Sequence, residues 1–121
     1  MNPVIVVATY SRLSALARLL ASLVDADFSG FESVGLVVSV DKHESAEAGI
    51  LAYLDAFEWP FGVKRVRTFD KRQGLKDHFI SCCDLVFEYE QIIFLEDDFC
   101  VSRHFYRYAS QAIDFYGDDD E

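Results

Sequence analysis

Long apolar segments and secretion signals are both absent from this sequence of 121 residues. No apolar run approaches the roughly 20 residues that span a bilayer. The N-terminus also lacks the basic region and the small-residue cleavage site of a signal peptide. We therefore expect a protein with no membrane span in this chain, located in the cytoplasm or held peripherally at the cytoplasmic face of a membrane.

Cysteine is scarce, and its spacing excludes the usual cysteine frameworks. No C-x-x-C pair occurs, so neither a zinc site nor a set of disulfides is indicated, and we expect buried free thiols. The three cysteines are Cys82, Cys83 and Cys100. The histidines also lack metal-ligand spacing, and we expect them at the surface or in loops. They are His43, His78 and His104.

Basic residues are few as well. The chain has 11 lysines and arginines against 21 aspartates and glutamates, which gives a formal net charge of -10. A surface of this kind repels polyanions, so a general nucleic-acid binder is excluded. A ligand that carries phosphate would need a local basic patch or a divalent cation to reverse this field. Residues 118–121 are all acidic and are predicted to form a solvated tail.

Three common site motifs are missing. The sequence has no G-x-x-x-x-G-K-[ST] loop, and no G-x-G-x-x-G follows the first apolar run, which argues against P-loop NTPases and dinucleotide-binding enzymes. It also has no G-x-S-x-G elbow, which argues against a serine hydrolase.

The sequence does contain a regular alternation of short β-branched runs and helical patterns. Hydrophobic residues make up 51% of the chain, which is enough for one domain with a core. Strands are predicted at residues 3–9, 34–40, 63–69 and 91–95, and a helical pattern follows each of them. Ser11 is expected to cap the first helix, and the more basic third strand is expected near a sheet edge.

This βαβαβαβα order predicts a Rossmann-like α/β domain of three α/β/α layers around a mostly parallel sheet. Ligands of such sheets bind outside the carboxyl ends of the strands, at the point where the strand order reverses. If the order is 3-2-1-4, strands one and four are neighbours. The polar residues that follow them then face one crevice.

The most distinctive polar feature is the triplet Glu96-Asp97-Asp98, directly after the fourth strand. Clustered carboxylates repel one another, and a hard divalent cation such as Mg²⁺ or Mn²⁺ relieves this repulsion through oxygen ligands. Asp98 is best placed for such an ion because it lies furthest from the strand. A solvated acidic turn at the start of the last helix explains the triplet equally well.

Three further features allow two interpretations each. Asp41 ends the second strand, where it could bind a ribose or a base, or simply cap a turn. Arg12 lies in the first turn of a helix, where a cation is unfavourable unless it shares an anion with the helix N-terminus. Lys71, Arg72 and Lys76 could bind a diphosphate or belong to a solvated loop.

Four segments, in this order, resemble the nucleotide-sugar-binding half of GT-A glycosyltransferases. The resemblance is to the N-acetylglucosaminyltransferase I family and related bacterial enzymes, and it covers essentially the whole chain. The segments are PVIVVATYSR, VVSVDKHES, DKRQGLKDHF and IIFLEDDFCVSRHFYRY. By this resemblance, the EDD triplet is a variant of the D-x-D metal motif.

The resemblance implies a function and a set of roles. The chain would bind a UDP-sugar, and a glycan or another hydroxyl compound would accept the sugar. Asp98 would coordinate Mn²⁺ or Mg²⁺. Arg12 and Asp41 would contact the nucleotide, with Asp41 at the uracil or the ribose, and Arg72 would approach the nucleotide or its diphosphate. Glu96 and Asp97 would bind the donor sugar, the ribose or metal-bound water. The donor-binding residues are Thr9, Arg12, Asp41, Arg72, Glu96 and Asp97.

Enzymes of this family are usually longer and place the acceptor site and the catalytic base after the metal motif. We therefore expect residues 1–121 to be the N-terminal, donor-binding part of such a domain, with the base beyond residue 121. Two alternatives stay open. One is a non-catalytic α/β module that binds a nucleotide or a metal, and the other is a nucleotidyltransferase.

Overall fold

The computed structural model describes residues 2–118, and it describes side chains as far as Asp114. The acidic tail predicted for residues 118–121 therefore lies outside the described residues, apart from the backbone of Asp118.

Strands and helices alternate along the chain, as predicted. The strands are β1 (Val4–Thr9), β2 (Leu36–Val40), β3 (Lys64–Arg67) and β4 (Ile92–Glu96). The helices are α1 (Leu13–Val24), α2 (Glu47–Ala56), α3 (Leu75–Cys83), α4 (Val86–Tyr89) and α5 (Phe105–Asp118). The single helix predicted after β3 is thus a helix of nine residues followed by a short one of four.

The four strands form one parallel sheet in the order β3-β2-β1-β4. This order confirms the predicted arrangement and places β3 and β4 at the two edges. The register pairs Val6 of β1 with Val37 of β2 on one side and with Phe94 of β4 on the other. The strand order reverses at β1, so the crevice expected for a ligand lies between the carboxyl ends of β1 and β4.

Side chains of β1 alternate between two separate cores, one on each face of the sheet. Ile5 and Val7 are fully buried in the larger core, which also contains apolar residues of α1, α2 and α5. Val6 is buried in the smaller core, against Cys82 of α3 and Leu85. The helices therefore cover both faces, which confirms the three-layer α/β/α prediction.

The cap predicted for α1 is wrong. Arg12, not Ser11, is the N-cap residue, and none of the described side chains makes a cap hydrogen bond at this helix end. Ser11 is exposed at the end of the preceding bend. The N–H groups of the first turn therefore stay available to a ligand or to water.

Two polar side chains connect distant parts of the chain. The buried hydroxyl of Tyr106 on α5 donates a hydrogen bond of 2.6 Å to the carbonyl of Pro3, just before β1. The ammonium group of Lys64 on β3 donates to the carbonyls of Leu54 and Phe57, each at 2.6 Å. A cation is favourable at the C-terminus of α2 because the exposed carbonyls of a helix end carry partial negative charge.

The cysteines differ from the prediction in their burial. All three are free thiols, but only Cys82 is buried, whereas Cys83 is half-buried and Cys100 is exposed. Among the helices of the described residues, none combines the length and the apolar character needed to cross a membrane.

Tyr106→Phe tests the connection between α5 and β1. Removing the hydroxyl deletes a buried hydrogen bond, so we expect a loss of about 1 kcal/mol in the free energy of unfolding, measured by urea denaturation. Tyr108→Phe is the matched control, because the Tyr108 side chain is exposed on the same helix. Equal unfolding midpoints for the two variants would contradict the assigned role of the hydrogen bond.

Candidate functional site

A cavity of about 380 Å³ opens at the carboxyl ends of β1 and β4. The first residues of α1 and α3 and the turn after β4 form its walls. Five of the predicted site residues line this cavity, which is the crevice expected from the strand order. They are Thr9, Arg12, Glu96, Asp97 and Asp98.

Thr9 and Asp97 connect the two strands at the base of the cavity. The Thr9 hydroxyl donates a hydrogen bond of 2.8 Å to the Asp97 carboxylate, and Thr9 is almost fully buried. The parallel register brings the two residues together, because it pairs Ala8 with Glu96 at the ends of β1 and β4. Asp97 is therefore held in a fixed orientation, with acceptor capacity left for a ligand.

Asp98 and Arg12 are neighbours in the lining of the cavity. Their charged groups are 4.0 Å apart, and the side chains are 51% and 65% exposed, respectively. A pair with this distance and exposure contributes little to stability. Each group can therefore give up this contact and bind a ligand instead. Asp98 could then bind a cation, and Arg12 could bind an anion.

The acidic turn does not form a complete metal cage. Among the described side chains, which end at Asp114, no group of three or more acidic, histidine or cysteine side chains converges on one point. Mg²⁺ in nucleotide sites is commonly held by one or two carboxylates together with phosphate oxygens and water. The exposed Asp98 and Glu96 fit an ion of that kind, which would need the phosphates of a ligand to complete its coordination.

Two helices begin at the cavity with uncapped N-termini. Ser11 and Arg12 at the start of α1 and Leu75 at the start of α3 line it. Within the described part of the chain, no side chain caps either helix. Free N–H groups and the helix dipole favour an anion at such ends. The cavity therefore has carboxylates on one side and the uncapped start of α1 on another, whereas the start of α3 already has the carboxylate of Asp41 beside it.

Asp41 has a different position from the other predicted residues. It is buried, and its carboxylate accepts hydrogen bonds from the backbone N–H groups of Lys42, Gln73 and Gly74, at 2.8, 2.7 and 3.0 Å. Gly74 has a φ of 83°, which glycine adopts without strain. Asp41 thus fixes the loop before α3, and it is not among the residues that line either cavity.

Arg72 lies on that loop and lines a second cavity of about 430 Å³. Its guanidinium carbon is 4.8 Å from the centre of the Tyr10 ring, in a cation–π arrangement. Lys42, His43 and Glu44 complete the lining. Tyr10 lines both cavities, so its ring is the boundary between them.

Sequence reasoning missed several residues of the first cavity. Tyr10 was recognisable, because it directly follows β1 next to Thr9. The apolar residues that line one side of the cavity could not be recognised from the sequence, because they come from α3 and β4 and resemble ordinary core positions. They are Leu75, Phe79 and Phe94.

His78 also lines this cavity, and the prediction of a surface or loop histidine is wrong for it. The side chain is buried on α3, and its Nε2 atom is 2.8 Å from the hydroxyl of Ser39 on β2. Burial lowers the pKa of His78, the nearby charge of Arg67 lowers it further, and Asp41 opposes the shift. The ring is therefore neutral at pH 7.

Comparisons with known proteins identify the fold. No protein-family model matches the chain, and no curated protein matches it. Crystal structures of S. aureus TarS residues 1–349, free and in complex with UDP or UDP-GlcNAc, match with a TM-score of 0.68 and 20% sequence identity. A crystal structure of a longer S. aureus TarS chain gives the same values.

These matches cover 97% of the present chain, but only 33% of TarS 1–349 and 20% of the longer TarS chain. At this level of identity the likeness shows the fold alone, which is a Rossmann-like α/β domain. The predicted fold class is confirmed, and the resemblance to the N-acetylglucosaminyltransferase I family stays a prediction.

Asp41→Asn tests how the loop before α3 is held. The amide that replaces one carboxylate oxygen cannot accept the Gly74 N–H, so we expect a loss of about 1–3 kcal/mol in the free energy of unfolding. We also expect faster hydrogen exchange at the amides of Gln73 and Gly74. Asp55→Asn, at an exposed position of α2, is the control. Unchanged exchange at both amides in Asp41→Asn would refute this role of the carboxylate.

Proposed function

We propose that this chain is the donor-binding part of a glycosyltransferase, which binds a UDP-sugar together with Mn²⁺ or Mg²⁺. The observation that carries the proposal is the cavity at the ends of β1 and β4, where an acidic turn lies beside Arg12 and the uncapped start of α1. Such a site can hold a diphosphate and a cation side by side. The complexes of the structural neighbour with UDP and UDP-GlcNAc support the choice of donor.

In this proposal the diphosphate binds at Arg12 and the N-terminus of α1. The chain carries a net charge of -10, so a diphosphate needs local positive charge to approach. Arg12 and this helix end supply part of it, and a cation at Asp98 supplies the rest. When bound, the divalent cation neutralises the negative charge that develops on the departing nucleoside diphosphate.

The second cavity is the proposed site of the nucleoside. Tyr10 offers an aromatic face for a base, and base–aromatic stacking is worth about 1–3 kcal/mol per base. Arg72 covers this face in the present structure. We infer that it moves off the ring when the base binds and then pairs with the diphosphate. Asp41 supports this exchange by fixing the loop that carries Arg72.

The remaining polar residues are proposed to orient the sugar and the ribose. Asp97 is held by Thr9, so its free lone pairs can accept hydrogen bonds from ligand hydroxyls in one defined direction. Glu96 is exposed beside it and can accept hydrogen bonds from a hydroxyl or from metal-bound water. Orientation of the donor is a contribution to transfer that this cavity can make by itself.

The rest of the reaction is assigned by resemblance. We propose that a glycan or another hydroxyl compound accepts the sugar, and that the acceptor-binding part and the catalytic base lie beyond residue 121. The cytoplasmic location likewise stays a prediction.

Asp98→Asn tests the metal role. We expect calorimetric titration of UDP into the parent chain to show saturable binding that is stronger with Mn²⁺ than without it. In Asp98→Asn, the increase in UDP affinity caused by Mn²⁺ should be at least about tenfold smaller than in the parent, a difference of about 1.4 kcal/mol. The reason is that an amide is a poorer ligand than a carboxylate for a hard cation.

Asp114→Asn, at an exposed position of α5, is the control and should bind like the parent. A folded parent chain that binds no UDP under either condition would refute the donor site itself. An undiminished effect of Mn²⁺ in Asp98→Asn would refute only the assignment of the metal ligand.

A further inference from the structure

We propose that His78 is a positioning residue of the donor cavity, which holds the first turn of α3 against β2 only while its imidazole is neutral. Donor binding therefore weakens when this ring is protonated. The inference rests on the proposed function, because it concerns the cavity in which the donor is placed.

The hydrogen bonds around Ser39 define the protonation state that this contact requires. The Ser39 hydroxyl oxygen accepts two hydrogen bonds from Arg67, from Nε at 3.2 Å and from a terminal guanidinium nitrogen at 3.1 Å. A hydroxyl oxygen has two lone pairs and one proton. Its proton is then left for an acceptor, which is His78 Nε2 at 2.8 Å in the arrangement we propose; the Cys82 thiol also lies within hydrogen-bond reach of Ser39. The neutral ring then carries its own proton on Nδ1.

The anchored ring connects directly to the wall of the cavity. The backbone N–H of His78 donates to the carbonyl of Gly74 at 2.9 Å, and the Gly74 N–H is held by Asp41. Leu75 and Phe79, on the same stretch of α3, line the cavity together with His78. The start of α3 is thus fixed at two points, through Asp41 and through His78, and both points belong to the end of β2.

Several charged and titratable groups surround the ring, and they come from every element packed against it. Asp41 follows β2, Arg67 lies on β3, and Cys82 lies on α3 one turn beyond His78 and contacts the same guanidinium group. The Phe69 ring, at a centroid distance of 5.4 Å, covers another side. Across the cavity lie four charged residues. They are Arg12, Glu96, Asp97 and Asp98.

Protonation breaks the Ser39 contact for a geometric reason. An imidazolium Nε2–H is a donor, and it would face an oxygen whose two lone pairs are already used by Arg67. It would also place a second positive charge next to the guanidinium group. The ring must then leave Ser39, and the first turn of α3, with its cavity-lining residues, loses one of its two attachments.

Protonation of His78 is also coupled to the stability of the fold. Histidine has a pKa of about 6.5 in an unfolded chain, and burial lowers the pKa of His78 in the folded one. Between these two values the unfolded state binds more protons. The free energy of unfolding therefore falls as the pH decreases through this interval, and the His78 contribution is fully present above it.

The experiment first measures the pKa of each histidine by NMR, in the free chain and with UDP plus diamagnetic Mg²⁺. Because the donor favours the neutral ring, the pKa of His78 should fall further when UDP and Mg²⁺ bind. The ¹⁵N shifts of His78 should show the Nδ1–H tautomer. A pKa of His78 that UDP leaves unchanged would overturn the proposal without any variant.

The second part compares UDP affinity in the parent, His78→Gln and His104→Gln. A glutamine carbonyl can accept the Ser39 hydroxyl proton but does not titrate. One pH unit below the measured pKa of His78, the parent should lose about tenfold more affinity than His78→Gln, relative to neutral pH. Protonation of UDP itself affects all three proteins alike, and His104→Gln should follow the parent.

The outcomes separate the two proposals. If the parent does not bind UDP at neutral pH, the proposed function fails. If the parent binds and His78→Gln shows the same pH profile, the positioning role of His78 fails while the donor site stands. Circular dichroism at each pH confirms that a lost affinity is not global unfolding. If His78→Gln does not fold, the response of the His78 pKa to UDP in the parent decides.

Discussion

Strand β1 is hydrogen-bonded along both edges, to β2 on one side and to β4 on the other, and the architecture depends on this double pairing. The connections through α1 and α2 lead away from β1 in one direction, and the connection through α3 leads back across it to β4. Right-handed crossovers then place α1 and α2 on one face and α3 on the other. The gap between these helices, at the end of β1, is the cavity.

The cavity contains positively charged groups although the chain as a whole is strongly negative. A protein with a net charge of -10 offers a poor approach to a diphosphate, and the turn at residues 96–98 adds to the repulsion. Two features inside the cavity oppose this negative charge: the uncapped start of α1 and the guanidinium group of Arg12. The first N–H groups of α1 carry partial positive charge and have no side-chain partner at the cap, so they remain available to an anion or to water.

The fold was largely predictable, because β-branched runs and helical periodicity gave every strand, and the order 3-2-1-4 followed from the rules of parallel sheets. The errors have physical causes. Ser11 satisfies the local rule for a cap, but the chain bends so that Arg12 occupies that position. His78 was assigned to the surface because its partner Ser39 lies 39 residues away, and no local pattern reports that contact. The triplet at residues 96–98 was found because consecutive carboxylates after an apolar strand are rare and costly.

Strand β4 ends the sheet, and this position has a practical consequence for handling the protein. Within residues 2–118 its outer row of backbone N–H and C=O groups has no neighbouring strand, while its sequence, IIFLE, is mostly apolar. Exposed edges of this kind are templates on which a strand of another molecule can add. A charged side chain introduced into β4 would disfavour such strand addition.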